Sequence, residues 1–115
     1  MAENLLRKVD IDWLLTIYGT MLTDKQREIA ALYYEEDYSL AEIAQQEGVS
    51  RQSIHDTLQR VEKQLRTWEE KLGIRSRFTR VQTSLEKALD EIGHNPEAAR
   101  QSIEKAIGLL TDEED

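Results

Sequence analysis

The sequence predicts an all-α fold, and three observations carry that reading. Only one proline and five glycines punctuate 115 residues, so long uninterrupted helices are favoured and a sheet is not. Apolar residues recur at steps of three and four along most of the chain, the period of one helix face. Serine or threonine stands three residues ahead of Glu or Gln at Thr23-Asp24-Lys25-Gln26 and Ser39-Leu40-Ala41-Glu42, the pattern of a capping box at a helix start. Leu, Ile, Val and Phe exceed a fifth of the chain, enough for a charged sequence to fold. The length leaves room for one compact domain and predicts no second core.

In the first segment Leu6, Val9, Trp13, Ile17 and Met21 form a stripe that Leu14 and Tyr18 widen into a face, and Gly19 weakens the helix near its end. Thr23 then caps a helix from about Asp24 to Glu35 that should bury Ile29, Leu32 and Tyr33. Ser39 caps a short helix burying Leu40, Ile43 and Ala44, which stops before Gly48, a residue suited to a left-handed C′ position. Val49 is expected as a core plug and Ser50 as the N-cap of a fourth helix. There Ile54, Leu58, Val61, Leu65, Trp68 and Leu72 alternate in steps of four and three, a seam about three heptads long.

The phase breaks after Leu72. Ile74, Phe78, Val81, Leu85, Ala88 and Ile92 restart it, so Gly73 should mark a helix end or a kink. Gly93 fits a C′ position, Asn95 an N-cap and Pro96 the first residue of a last helix, with Ala99, Ile103, Ala106, Ile107 and Leu110 on its apolar face. The tail Thr111–Asp115 should be solvated and frayed. These breaks give residues 1–72 as a helix-turn-helix domain and 73–115 as a C-terminal helical hairpin, either part of the same compact unit or a dimerisation element. Two heptad seams plus a last helix exceed what so small a core can cover, and a homodimer with two-fold symmetry is expected.

Composition narrows the function. Fifteen Lys and Arg against 23 Asp and Glu give a net charge of −8, which disfavours indiscriminate wrapping of duplex DNA. With no cysteine there is neither a disulfide framework nor a thiolate metal site, and His55 and His94 make no zinc site alone. No phosphate loop, nucleophile elbow or His-Glu zinc motif is present, so no catalytic residue, no metal and no cofactor is expected. The longest all-apolar run is far too short to cross a bilayer, and a soluble cytoplasmic protein with no membrane partner is predicted.

The informative stretch is Ser39 to Arg60, SLAEIAQQEGVSRQSIHDTLQR. A short helix, a tight turn holding a glycine and a longer helix opened by serine is the layout of a helix-turn-helix. With Ile54 inward and 100° per residue, the outward face of the fourth helix holds Gln52, His55, Asp56, Gln59, Lys63 and Arg66, flanked by Arg51 and Arg60. Gln suits adenine, Arg suits guanine, and Lys or Arg suits phosphate. Arg51, Gln52, His55, Gln59, Arg60 and Lys63 are therefore the candidate nucleic-acid contacts, with Arg51 and Lys63 on phosphate. Residues 50–66 carry a net +2 within a chain of −8.

The stretch LTDKQREIAALYYEEDYSLAEIAQQEGVSRQSIHDTLQRVEKQL resembles region 4 of bacterial sigma factors, which reads the −35 promoter element. ALYYEEDYSLAEIA and GVSRQSIHD are similar to the YlxM family, small helix-turn-helix proteins associated with the signal recognition particle. The resemblance covers roughly residues 10 to 75 and implies a sigma-region-4-type fold with a long recognition helix and a regulatory role, with DNA or the particle's RNA as partner. One departure bears on mechanism. A sigma-type recognition helix is richer in Lys and Arg, whereas Asp56 puts a carboxylate on this outward face, repelling phosphate unless it accepts from a cytosine amine. The competing function is a protein-interaction adaptor that docks a protein of the particle, such as its GTPase, without touching nucleic acid.

Overall fold

A computed structural model describes the backbone of residues 2–111 and the side chains from Lys8 onward. Over those residues the chain forms six α-helices and one 3-10 turn, with no strand: α1 (Ala2–Tyr18), the 3-10 turn Gly19–Met21, α2 (Asp24–Tyr34), α3 (Leu40–Glu47), α4 (Arg51–Leu72), α5 (Ile74–Glu91) and α6 (Pro96–Thr111). It divides into two compact units, residues 1–72 and 73–115. None of the described helices is long and apolar enough to cross a membrane. The side chain of Leu6 and the acidic residues 112–115 lie outside the described residues.

The first unit holds the main core. Ile11, Leu14, Leu15, Tyr18 and Leu22 from the first helix and its 3-10 extension pack with Ile29, Ala30, Leu32 and Tyr34 of α2, Ile43 and Ala44 of α3, and Ile54, Leu58, Val61 and Leu65 of α4. The seam predicted for α4 is real over its first three turns, but Trp68 is half-buried and Leu72 is exposed. Tyr18 Oη donates to Glu69 Oε1 at 2.7 Å, tying α1 to the far half of α4.

Three expectations fail here. Val9 and Met21 are about half exposed and Trp13 is partly so, because α1 is apolar nearly all round and packing against α2 and α4 selects the arc centred on Tyr18 and Leu22. In α2 it is Tyr34, not Tyr33, that is fully buried; Tyr33 lies edge-on to it at 5.0 Å between ring centroids, with the Lys8 ammonium 4.5 Å from the Tyr33 ring centroid. Val49 is 46% exposed rather than a core plug, since Ile43, Ala44 and Ile54 already close the α3–α4 angle.

The local signals are realised closely. Thr23 and Ser39 each close a reciprocal capping box, with Gln26 and Glu42 reaching back to the cap backbone. Asp37, at φ 58°, turns the chain between α2 and α3, and the Tyr38 N–H then donates to the Leu32 carbonyl at 2.9 Å.

In the second unit α5 and α6 form an antiparallel hairpin. Asn95 caps α6 by accepting from the Ala98 N–H at 3.2 Å, and Pro96 follows as its first residue. Gly93, however, is not left-handed: the turn closes through Asn95 N–H on the Glu91 carbonyl at 2.7 Å instead. The buried seam is made of small residues, Ser84 and Ala88 on α5 against Ala99, Ser102 and Ala106 on α6, with Leu109. Phe78, Leu85 and Ile92 on α5 and Ile103, Ile107 and Leu110 on α6, expected inside, are exposed. Small side chains let two backbones approach closely, and the large ones are then turned aside.

Candidate nucleic-acid interface

The site is the face of α4 that the core leaves to solvent, and α3 sets its position. Ser39 opens α3, accepting from the Glu42 N–H at 3.0 Å while its own N–H donates to Glu42 Oε1 at 2.9 Å. The Ser39 backbone N–H first, and the Ser39 side chain second, hold the Glu42 carboxyl below its usual value near 4.5. The folded-state pKa is depressed, so the contribution to stability is present above 4.5 and is lost as pH falls through the lower folded value. A titration of Glu42 by NMR should give a midpoint below 4.5 that moves only part of the way back in Ser39→Ala, which removes the hydroxyl and keeps the backbone N–H; an unshifted midpoint in the parent chain would contradict the capping geometry.

Gly48 ends α3 at φ 70°, ψ 32°, a conformation that L side chains rarely adopt, and its N–H reaches the Ala44 carbonyl. Two residues later Ser50 accepts from the Ser53 N–H at 3.0 Å and starts α4. Ala44 and Ile54 meet in the angle between the helices, fixing the rotation of α4 and therefore which side chains face outward.

All six candidate contacts, Arg51, Gln52, His55, Gln59, Arg60 and Lys63, are exposed. Arg51, Gln52 and His55 line a groove whose other wall is Ser39, Leu40 and Ala41 at the start of α3. His55 and Gln59 share the next recess with Tyr33, Leu40 and Glu62, and Gln59 and Lys63 share a third with Arg66. Five of the six thus join Arg66 in a strip from residue 51 to residue 66, about 22 Å along the axis at 1.5 Å per residue. Arg60 lines none of these recesses and sits to the side of the strip. The α3 residues and Tyr33 were not among the sequence candidates; only the crossing of the helices brings them beside α4.

Asp56 and Glu62 are engaged, whereas Glu70, which lines the third recess beside Arg66, is exposed. Gln52 Nε2 donates to Asp56 Oδ1 at 2.9 Å, and His55 Nδ1 stands 3.8 Å from the same oxygen. Glu62 accepts a hydrogen bond from Tyr34 Oη, which draws it toward the core side of α4. By contrast Arg51, Arg60, Lys63 and Arg66 have no ion-pair partner among the described residues. Asp56 is half exposed and not simply opposed to phosphate, because it also holds the Gln52 amide. The described residues contain no cluster of His, Cys, Asp or Glu that could hold a metal ion.

The arrangement is that of a helix-turn-helix with a long second helix, and the comparisons agree. The family model for YlxM/p13-like helix-turn-helix proteins, designated UPF0122, matches residues 5–107. A UPF0122 protein of Desulforamulus reducens is 43% identical over 101 residues, covering 87% of this chain and 86% of the relative. One from Geobacillus kaustophilus is 42% identical over 92 residues, 80% and 81% of the two chains. One from Thermoanaerobacter pseudethanolicus reaches 49% over 74 residues, 64% and 63%. With the match running through both helices of the motif and most of the C-terminal hairpin, the chain belongs to the UPF0122 family of YlxM/p13-like helix-turn-helix proteins.

Proposed function

We propose that this chain is a non-enzymatic regulatory protein of the cytoplasm that binds nucleic acid through α4, works as a homodimer, and serves the signal recognition particle pathway. The observation that carries the nucleic-acid reading is the set Arg51, Arg60, Lys63 and Arg66, held out to solvent without ion-pair partners among the described residues on a helix-turn-helix whose Asp56 and Glu62 carboxylates are engaged by Gln52 and Tyr34. In an acidic chain such cations are free to pair with phosphate, and the net charge of −8 restricts the contact to a short, salt-sensitive one. The pathway assignment rests on the resemblance to the YlxM family in ALYYEEDYSLAEIA and GVSRQSIHD.

The test is equilibrium binding of the full chain to a duplex chosen by in vitro selection and to the particle's RNA, between about 50 and 200 mM salt. Saturable binding to either, falling linearly with log salt, is the expected result; no binding above background at the lowest salt overturns the reading. Asp56→Ala should tighten that binding several-fold at low salt, because it removes a carboxylate from the face and frees the Gln52 amide. A loss of affinity in that variant would mean instead that Asp56 accepts from a base.

A second reading is favoured by the acidity of the chain and by the apolar faces it exposes: an adaptor docking a protein of the particle. Partners retained from nuclease-treated cytoplasm, with no nucleic-acid binding in vitro, would select it.

A further inference from the structure

The most conspicuous unpartnered surface is on the hairpin. Leu85 and Leu89 on α5, Ile92 at its C-cap, and Ile103, Ile107 and Leu110 on α6 are between 39% and 75% exposed. At 100° per residue Leu85, Leu89 and Ile92 fall within an arc of about 60°, centred about 90° from the Ser84–Ala88 seam. Ile103, Ile107 and Leu110 fall within a similar arc of about 60°, turned by about 90° in the same rotational sense from the Ala99–Ala106 seam. Because the helices run antiparallel, equal rotation about each axis brings both stripes to the same side of the hairpin. The two stripes are therefore one face.

Resting on the homodimer in the proposed function, we infer that this face is where two copies of the chain meet, two hairpins completing a four-helix bundle. Six side chains at these exposures offer on the order of 650 Å² of apolar surface, taking about 200 Å² for a large one. A monomer rarely leaves a patch beyond about 600 Å², whereas a standard interface takes about 800 Å² from each partner. Two-fold pairing sets a surface against itself, which requires a rim without a block of one sign. Gln82 and Glu86 edge the face on α5, and Arg100 and Glu104 edge it on α6, where Arg100 Nε pairs with Glu104 Oε1 at 3.1 Å. A lipid surface is the poorer occupant: residues 73–115 carry nine carboxylates against six Lys and Arg, and interfacial helices need the reverse.

Sedimentation equilibrium of the full chain tests this, with Leu89→Glu and Ile107→Glu as separate variants and Val9→Glu, an exposed apolar site of the first unit, as control. At concentrations of about tens of micromolar the parent chain should sediment at twice 13.4 kDa. Each hairpin variant should dimerise at least about tenfold more weakly with unchanged helix content by circular dichroism, a loss of at least 1.4 kcal/mol, while Val9→Glu should leave the dimer intact. A monomeric parent overturns the homodimer reading itself; a dimer unaffected by both hairpin variants, or broken equally by Val9→Glu, overturns only the surface assigned here. Should the Glu variants lose helix content, the absence of cysteine allows Gln82→Cys at the rim to be spin-labelled uniquely. Dipolar coupling between copies is then expected, and its absence in a dimeric sample overturns the assignment.

Discussion

Replacing Ile54 with alanine is expected to destabilise the helix-turn-helix unit by about 3 kcal/mol, within the range for a buried Ile to Ala change. For a unit of this size that corresponds to a fall in Tm of roughly 15 °C. Ile54 is 1% exposed and lies among Ile43, Ala44 and Leu58, where α3 crosses α4. The removed atoms leave a cavity that the short α3, braced by its capping box and by Gly48, cannot collapse to fill. The same loss loosens the angle that aims α4, so nucleic-acid affinity should fall in Ile54→Ala although the residue touches no ligand. Val49→Ala, five residues earlier and 46% exposed, should cost less than about 1 kcal/mol. Thermal denaturation of the pair is the measurement. Equal effects, or a shift below about 4 °C for Ile54→Ala, would mean the elbow is not packed as described.

The second large effect is on binding. The variant in which Arg51, Arg60, Lys63 and Arg66 are all alanine should bind the selected nucleic acid about a thousandfold more weakly near 0.1 M salt, at about 1 kcal/mol or slightly more for each charged hydrogen bond lost. The dependence of log affinity on log salt should flatten by about 0.9 for each cation that had displaced a counterion on duplex, or about 0.7 on a single strand. That difference separates a duplex from an RNA loop without knowledge of the sequence bound. All four side chains are exposed and lack ion-pair partners among the described residues, so Tm should move by no more than about 4 °C. A variant that keeps both affinity and slope would place the nucleic-acid contact elsewhere and leave the adaptor as the better reading.

The sequence was legible where the governing interaction is local. Thr23 with Gln26, Ser39 with Glu42, Ser50 with Ser53 and Asn95 with Ala98 are each satisfied within four residues, and each starts the helix its pattern predicts. Gly48 is the matching case at a helix end, since its left-handed φ is a property of the turn itself. Gly93 is the counter-example: the Glu91 carbonyl took the Asn95 N–H, and the turn closed without positive φ. The candidate strip on α4 was legible too, because one inward residue, Ile54, fixes the rotation of a regular helix. What that rotation leaves out is side-chain engagement, so Gln52 held by Asp56 and Glu62 held by Tyr34 came only with the packed unit.

By itself, then, the sequence determined an all-α chain, the boundaries of α2 to α6 to within a residue or two, the helix-turn-helix at Ser39 to Arg60, and the outward identity of Arg51, Gln52, His55, Gln59, Arg60 and Lys63. Caps, turns and periodicity are set by neighbours along the chain, and those are written in the sequence directly. Tertiary structure alone decided which arc of an apolar helix is buried. Val9, Trp13 and Met21 compete with Ile11, Leu15 and Leu22 along α1 and the turn that follows it, and Phe78, Leu85 and Leu110 compete with Ser84, Ala88 and Ala99 in the hairpin. Hydrophobicity ranks those alternatives almost equally or in the wrong order, because burial is non-directional. Close packing between partners breaks the tie, and it does so by shape: α2 and α4 fit one side of α1, and small residues let α5 and α6 approach.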